Sequence, residues 1–136
     1  MKKVTIDTNI FIRLFTIDDE VKFKKAKELI EKAEKGKIKL LVPYLVIAEI
    51  VWVLEKVYKR SKIEISEVIT AIINTPGIEV ELFEVIEYAI ELYKDKNIKF
   101  TDAFIASWSI FYKVDEIITF DETDFKKVEK LKVRNL

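Results

Sequence analysis

The sequence contains no cysteine and no histidine, and these two absences narrow its chemistry before any motif is considered. They exclude disulfides, the usual structural zinc sites, cysteine and histidine nucleophiles, and a histidine general base. Any bound metal must therefore be held by oxygen ligands, which favours Mg²⁺ or Mn²⁺ over zinc or copper. Glutamine is absent too, while lysine, glutamate and isoleucine are abundant, a composition compatible with a thermophilic source.

Glycine and proline are also scarce, and the chain has a formal net charge of zero. Only 2 glycines and 2 prolines occur in 136 residues, and half of the residues are hydrophobic, which indicates one globular domain over residues 1–136. The 24 basic residues balance 24 acidic ones, which argues against a strongly basic nucleic-acid binder but not against a local basic face. No signal-like leader opens the chain, and no apolar run reaches the ~20 residues that span a bilayer. We therefore expect a soluble, cytoplasmic protein without a membrane partner.

The first candidate site residue is an aspartate between a strand and a helix. Alternation and β-branching over Lys2–Ile6 predict a strand, and the apolar residues from Asn9 onward predict a helix. Asp7 lies between them, at the strand end where open α/β sheets bind ligands. The alternative is that Asp7 only caps the helix, which aspartates do well.

A second acid interrupts an apolar segment. Residues 39–42 predict a buried strand, and Pro43 suits the first turn of a helix that extends to about Tyr58. Glu49 is the only charged residue from Leu40 to Leu54. A carboxylate buried there would be costly unless it is paired or ligates a metal, although it could also emerge at the polar edge of the helix.

The next helix begins at a capping-box sequence, Ser61 to Glu64, and should form an αα-hairpin with its predecessor. Trp52 and Tyr58 on this hairpin are candidates for a dimer or partner surface, although ordinary core packing explains most of its apolar residues.

Two further aspartates repeat these patterns near the C-terminus. Asp102 is the only charge between Lys99 and Lys113, at a predicted helix start where the helix dipole favours an anion and where capping is an alternative role. Asp121 follows the predicted strand Glu116–Phe120, as Asp7 follows the first strand. If these two strands are parallel neighbours, Asp7 and Asp121 lie at the same sheet edge.

Convergence of Asp7, Glu49, Asp102 and Asp121 would produce strong mutual repulsion, which a divalent cation removes. Such a cation lowers the pKa of a bound water and neutralises charge on a phosphate oxygen. Hydrolysis of a phosphodiester with one or two Mg²⁺ or Mn²⁺ ions is the reaction class that these residues indicate.

With these motifs the chain resembles a known family, the PIN-domain ribonucleases, and among them the VapC-like toxins. The resemblance covers nearly the whole chain, from Ile6 to Phe125. It rests on motifs in a fixed order and spacing, namely Ile6-Asp7-Thr8-Asn9, Ala48-Glu49, Thr101-Asp102-Ala103-Phe104-Ile105-Ala106, and Ile118-Thr119-Phe120-Asp121 through Asp124-Phe125.

The resemblance implies a three-layer α/β/α PIN-like fold, in which helices flank a central, mainly parallel sheet. It implies that the four acids bind Mg²⁺ or Mn²⁺ for endonucleolytic cleavage of RNA. It further implies that Asn9 orients the acids, that Thr119 lines the site, and that Asp124 is an additional, peripheral acid. Family members are usually homodimers, and the toxins are inhibited by a cognate antitoxin.

The sequence leaves three alternatives open. The chain could be a PIN-like module that binds RNA or a protein without cleaving, or an RNA-processing nuclease without a toxin role. A Mg²⁺-dependent phosphatase also places an aspartate after its first strand. Haloacid-dehalogenase-type phosphatases require a second aspartate two positions later, where this chain has Asn9.

Overall fold

Strands and helices alternate along most of the chain, as the periodicity predicts. The computed structural model describes all residues from Met1 to Leu136, with six α-helices, a short 3-10 helix and five β-strands. The residues group into two compact units, Met1–Phe83 and Glu84–Leu136. One domain over residues 1–136 stays a prediction. No helix combines the length and the apolar character needed to cross a bilayer.

The first unit is a three-stranded parallel sheet with helical connections. Its elements are β1 (Lys2–Thr5), α1 (Thr8–Thr16), α2 (Glu20–Glu34), β2 (Ile38–Val42), α3 (Tyr44–Lys56), α4 (Lys62–Ile73) and β3 (Ile78–Val80). The strand order is β1-β2-β3, in which Val4 is paired with Leu40 and Leu40 with Ile78. Leu40 and Val42 on the central strand are fully buried, which confirms the prediction of a buried strand at this position.

Local side-chain hydrogen bonds define where these helices begin. Asp19 caps α2 by accepting the backbone N–H of Lys22 at 3.0 Å. Ser61 and Glu64 form the predicted capping box at the start of α4, each side chain accepting the other residue's backbone N–H. Such caps satisfy donors that the first helical turn leaves unpaired.

The two glycines serve different turns. Gly36 has a φ of +76° after α2, with open space where a side chain would be. Gly77 has a φ of +87° before β3 and lies directly against Ala33 of α2. Its carbonyl accepts the backbone N–H of Leu40 at 2.8 Å, so this close approach also anchors the central strand.

The second unit contains two long helices and a two-stranded parallel sheet. Its elements are α5 (Phe83–Asp95, which starts at the unit boundary), α6 (Phe100–Phe111), β4 (Ile117–Thr119), the 3-10 helix (Phe125–Lys127) and β5 (Val133–Asn135). Tyr93 is fully buried and packs edge-to-face on Phe100, with ring centroids 6.0 Å apart. The Ser107 hydroxyl donates to the Val85 carbonyl at 2.6 Å, which ties α6 to α5.

Hydrogen bonds pair β1 with β2, and β4 with β5. That the strands before Asp7 and Asp121 are parallel neighbours stays a prediction. The last strand, β5, which includes Val133, is the parallel partner of β4.

Candidate active site

Asp7 occupies the capping position of α1 without performing the capping bond. Its backbone is extended, with φ −99° and ψ 178°, yet its side chain makes no hydrogen bond to the first turn. Asp19, at the equivalent position of α2, does make that bond. The carboxylate of Asp7 is exposed and is not committed to the helix, which argues against the capping alternative.

Asp7 lines a cleft of about 390 Å³ in the first unit. The lining residues are Asp7, Thr8, Asn9, Ile12, Arg13, Glu49, Val53, Val57 and Tyr58. The cleft therefore brings together two of the four predicted acids and the predicted supporting residue Asn9.

Glu49 reaches this cleft from α3, but not as a buried charge. The face of α3 formed by Ile47, Ile50, Val51 and Leu54 is buried, whereas Glu49 is exposed. The prediction that Glu49 is a buried charge is therefore wrong. Glu49 emerges at the polar edge of the helix, which is the alternative that the sequence left open. Trp52 is likewise exposed.

A hydrogen-bond network that the sequence does not reveal braces one wall of the cleft. Arg13 Nη1 donates to Asp18 Oδ1 at 2.9 Å, and the Tyr58 hydroxyl donates to Asp18 Oδ2 at 2.8 Å. Thr16 adds a bond to Asp18 Oδ1 at 3.1 Å. The Tyr58 hydroxyl, with support from Arg13 and Thr16, lowers the pKa of Asp18 and keeps it ionised. Tyr58 is thus half-buried and bonded, rather than part of a free apolar surface.

The second unit brings Asp102 next to Asp124. Asp102 lies in the first turn of α6, whose capping residue is Lys99. The backbone N–H of Lys99 is accepted by Asp124 Oδ2 at 3.1 Å, a bond that Asp102 would make in a capping box. Asp124 therefore supplies the bond to this backbone group, and Asp102 is hydrogen-bonded to Asp124.

The pKa values of these two carboxyl groups shift in opposite directions. Burial raises the pKa of Asp102, and the hydrogen bond and negative charge of Asp124 raise it further. Burial acts in the same direction on Asp124, but the Lys99 N–H, the Asp102 carboxyl and the Lys127 ammonium 3.6 Å away together lower its pKa. The two carboxyl groups therefore differ in acidity, because Asp124 accepts the Lys99 N–H and faces the Lys127 ammonium, which favour its ionised form.

Asp121 is positioned by its neighbours in the turn after β4. Its backbone N–H donates to Thr119 Oγ1 at 3.0 Å, and its Oδ1 accepts the backbone N–H of Thr123 at 3.1 Å. Hydrogen bonds from the Thr123 side chain and backbone lower the pKa of Asp121. Thr119, expected from the resemblance to line the site, thus orients the backbone that carries Asp121.

In each unit the candidate site residues offer carboxylate, hydroxyl or amide oxygens. These are the ligands that a hard divalent cation prefers. Within either unit, however, no three acidic side chains gather closely enough to chelate one ion. A joint metal site of Asp7, Glu49, Asp102 and Asp121 stays a prediction.

We expect Asp102→Asn to raise the melting temperature by a few degrees in EDTA at pH 7. The substitution removes a desolvated charge that Asp124 repels, and asparagine can still donate a hydrogen bond to Asp124. Because the folded-state pKa of Asp102 is raised, the gain exists above that pKa and disappears below the ordinary value of 3.8, where the carboxyl is neutral in both states.

Melting curves over a pH series measure this effect, and Asp115→Asn, which removes an exposed acid of the same unit, is the matched control. A lower melting temperature for Asp102→Asn at pH 7 would show that the ionised carboxylate is stabilised by its surroundings instead.

Known proteins match this chain over most of its length. The model of the PIN domain family matches residues 4–131. A VapC ribonuclease from Aquifex aeolicus (strain VF5) is 31% identical over 123 residues, which are 90% of this chain and 90% of that protein. A chain in the crystal structure of VapBC2 from Rickettsia felis, bound to a DNA fragment from its promoter, aligns with 100% of this chain and 99% of its own length. That alignment has 18% identity and a TM-score of 0.38.

The resemblance found in the sequence motifs is confirmed by the family match, and with it the α/β PIN fold built on parallel strands. The chain belongs to the PIN-domain family.

Proposed function

We propose that this chain is an endoribonuclease that depends on Mg²⁺ or Mn²⁺, and that it is the toxin of a VapBC-like toxin–antitoxin pair. The observation that carries the proposal is the likeness to the Aquifex aeolicus VapC ribonuclease over 90% of both chains. The proposal includes a cognate antitoxin and a homodimer, which the family resemblance implies.

The proposed metal ligands are Asp7, Glu49, Asp102 and Asp121. What supports them is oxygen-only donor chemistry, the non-capping carboxylate of Asp7 and the exposure of Glu49 in the same cleft. When bound, a divalent cation would activate a water and offset the charge on a phosphate oxygen.

The supporting residues have roles that the contacts suggest. Asn9 lines the cleft beside Asp7, where its amide can bond to a carboxylate or to substrate. Thr119 holds the backbone of Asp121, and Asp124 bonds to the start of α6 and to the Asp102 side chain. Hydrogen bonds of this kind fix the orientation of ligating carboxylates.

The proposal is tested by incubating purified, antitoxin-free protein with total cellular RNA in Mg²⁺, Mn²⁺ or EDTA, and by mapping the new RNA ends by sequencing. We expect discrete cuts that require the metal. A folded protein that binds RNA but makes no metal-dependent cuts would instead be a non-catalytic PIN module.

Glu49→Gln should reduce the rate of cleavage by more than about 100-fold, because loss of a group that merely supports a metal ligand costs up to about that factor. Glu55→Gln, on the same helix, is the matched control and should cleave at the wild-type rate. Rates are measured on one end-labelled RNA that contains a mapped cut site. Equal rates for wild type and Glu49→Gln would remove Glu49 from the proposed ligand set.

A further inference from the structure

Arg13 is the only cationic side chain that lines the Asp7 cleft. It faces the same space as the carboxylates of Asp7 and Glu49. An RNA strand brings one negative charge per nucleotide into such a cleft. A cation placed there attracts the phosphates, which the neutral lining residues cannot do.

The hydrogen bonds of Arg13 leave part of its guanidinium free. Nη1 donates to Asp18 Oδ1 at 2.9 Å, whereas Nε–H is buried and has no acceptor. A purely structural pairing of arginine with a carboxylate commonly uses two parallel bonds, and the second bond would satisfy a nitrogen such as Nε. The single bond to Asp18 leaves Nε unpaired, which is costly for a buried donor, and it leaves the exposed part of the side chain available to a ligand in the cleft.

The part of the guanidinium that is bonded is held firmly. Asp18 receives hydrogen bonds from Tyr58, at 2.8 Å, and from Thr16, at 3.1 Å, as well as from Arg13. The side chain of Arg13 is 27% exposed, so it is accessible from the cleft while Asp18 fixes its far end. A planar fork that is already oriented loses little freedom when it binds a phosphate.

We propose that Arg13 binds a backbone phosphate of the RNA substrate in the Asp7 cleft, held in position by Asp18 and Tyr58. The inference rests on the proposed function and names a substrate-positioning residue for it. A phosphate contact carries no base information, so Arg13 fixes the register of the strand for any RNA sequence.

The test measures binding of a fluorescein-labelled, single-stranded RNA of mixed sequence by anisotropy, in EDTA and over a series of salt concentrations. Arg13→Met keeps the apolar stem and removes the charge. We expect weaker binding and a salt slope that is shallower by about 0.7, the value for one phosphate contact on a single strand. Arg60→Met, which removes an arginine paired with Glu64 at 3.8 Å outside this cleft, should leave the slope unchanged.

A second variant covers the case in which Arg13→Met does not fold. Arg13→Lys keeps the charge and loses the fork, so it should retain the wild-type salt slope while binding less tightly. In cleavage assays both variants should raise KM more than they lower kcat, because the contact serves binding.

An unchanged salt slope in Arg13→Met, or identical affinity in Arg13→Lys, overturns the inference even if the wild type cleaves RNA. The absence of RNA binding by the wild type overturns it as well. A different result would separate the two proposals. If the salt slope is shallower in Arg13→Met but the wild type never cleaves RNA, the role of Arg13 in binding is supported and the ribonuclease is rejected.

Discussion

Asp7→Asn should abolish metal-dependent cleavage of RNA while leaving the melting temperature in EDTA close to that of the wild type. The change removes one charge and almost no volume, and the Asp7 side chain makes no capping bond that could be lost. We expect the rate of cleavage to fall by more than about 100-fold, beyond the effect of removing a group that only supports a ligand. The measurement is the initial rate on a mapped RNA substrate with saturating Mn²⁺, beside a melting curve in EDTA.

A pair of alanine variants separates catalysis from capping. Asp19→Ala removes a real cap of α2 and should cost about 1 kcal/mol of the free energy of unfolding while cleavage persists. Asp7→Ala should show the reverse, with little change in stability and no cleavage. If Asp7→Ala lost as much stability as Asp19→Ala and still cleaved, Asp7 would be a helix residue and the proposed ligand set would lose its first member.

Gly77→Ala should destabilise the fold by roughly 2–6 kcal/mol, the sum of backbone strain and overpacking. A Cβ added at Gly77 would lie 2.8 Å from the Ala33 Cβ and closer still to the Ala33 carbonyl, both parts of a buried helix end that cannot retreat. The φ of +87° adds strain for any L side chain. Urea unfolding gives the change in free energy, and a loss of this size is large against the total stability of a small domain.

Gly36→Ala is the matched control for the steric part of that prediction. Gly36 has a comparable φ of +76°, but nothing lies within 4 Å of an added Cβ. Only backbone strain should appear, about 1–2 kcal/mol. Equal losses at the two positions would show that Ala33 does yield, and that conformation alone explains the effect at Gly77.

Features that depend on a few neighbouring residues were predictable from the sequence. The capping box joins Ser61 to Glu64, three positions apart, so the pattern of letters contains the whole interaction. The turn from β1 into α1 is similarly local, and it identified Asp7 as a candidate. Glu49 was also identified, but for a reason that the structure corrects, because the sequence does not reveal which face of α3 is buried.

Features that join distant residues were not predictable. The bond between Tyr58 and Asp18 spans 40 positions, and that between Lys99 and Asp124 spans 25. No periodicity marks either partner, since each bond depends on how the elements pack. The same holds for the pairing of β4 with β5, and for the unpaired Nε of Arg13, which requires side-chain geometry.

The parallel pairing in the first unit has a consequence during synthesis of the chain. Each strand finds its partner only after an intervening helical connection, because Lys2 pairs with Ile38 and Leu40 with Ile78. The ribosome therefore releases β1 long before β3, which ends at Val80, more than halfway along the chain. At translation speeds of about 5–20 residues per second, the nascent N-terminus spends seconds as an unpaired strand. During that interval Asp7 exists without the cleft, because Glu49 and Tyr58 have yet to emerge.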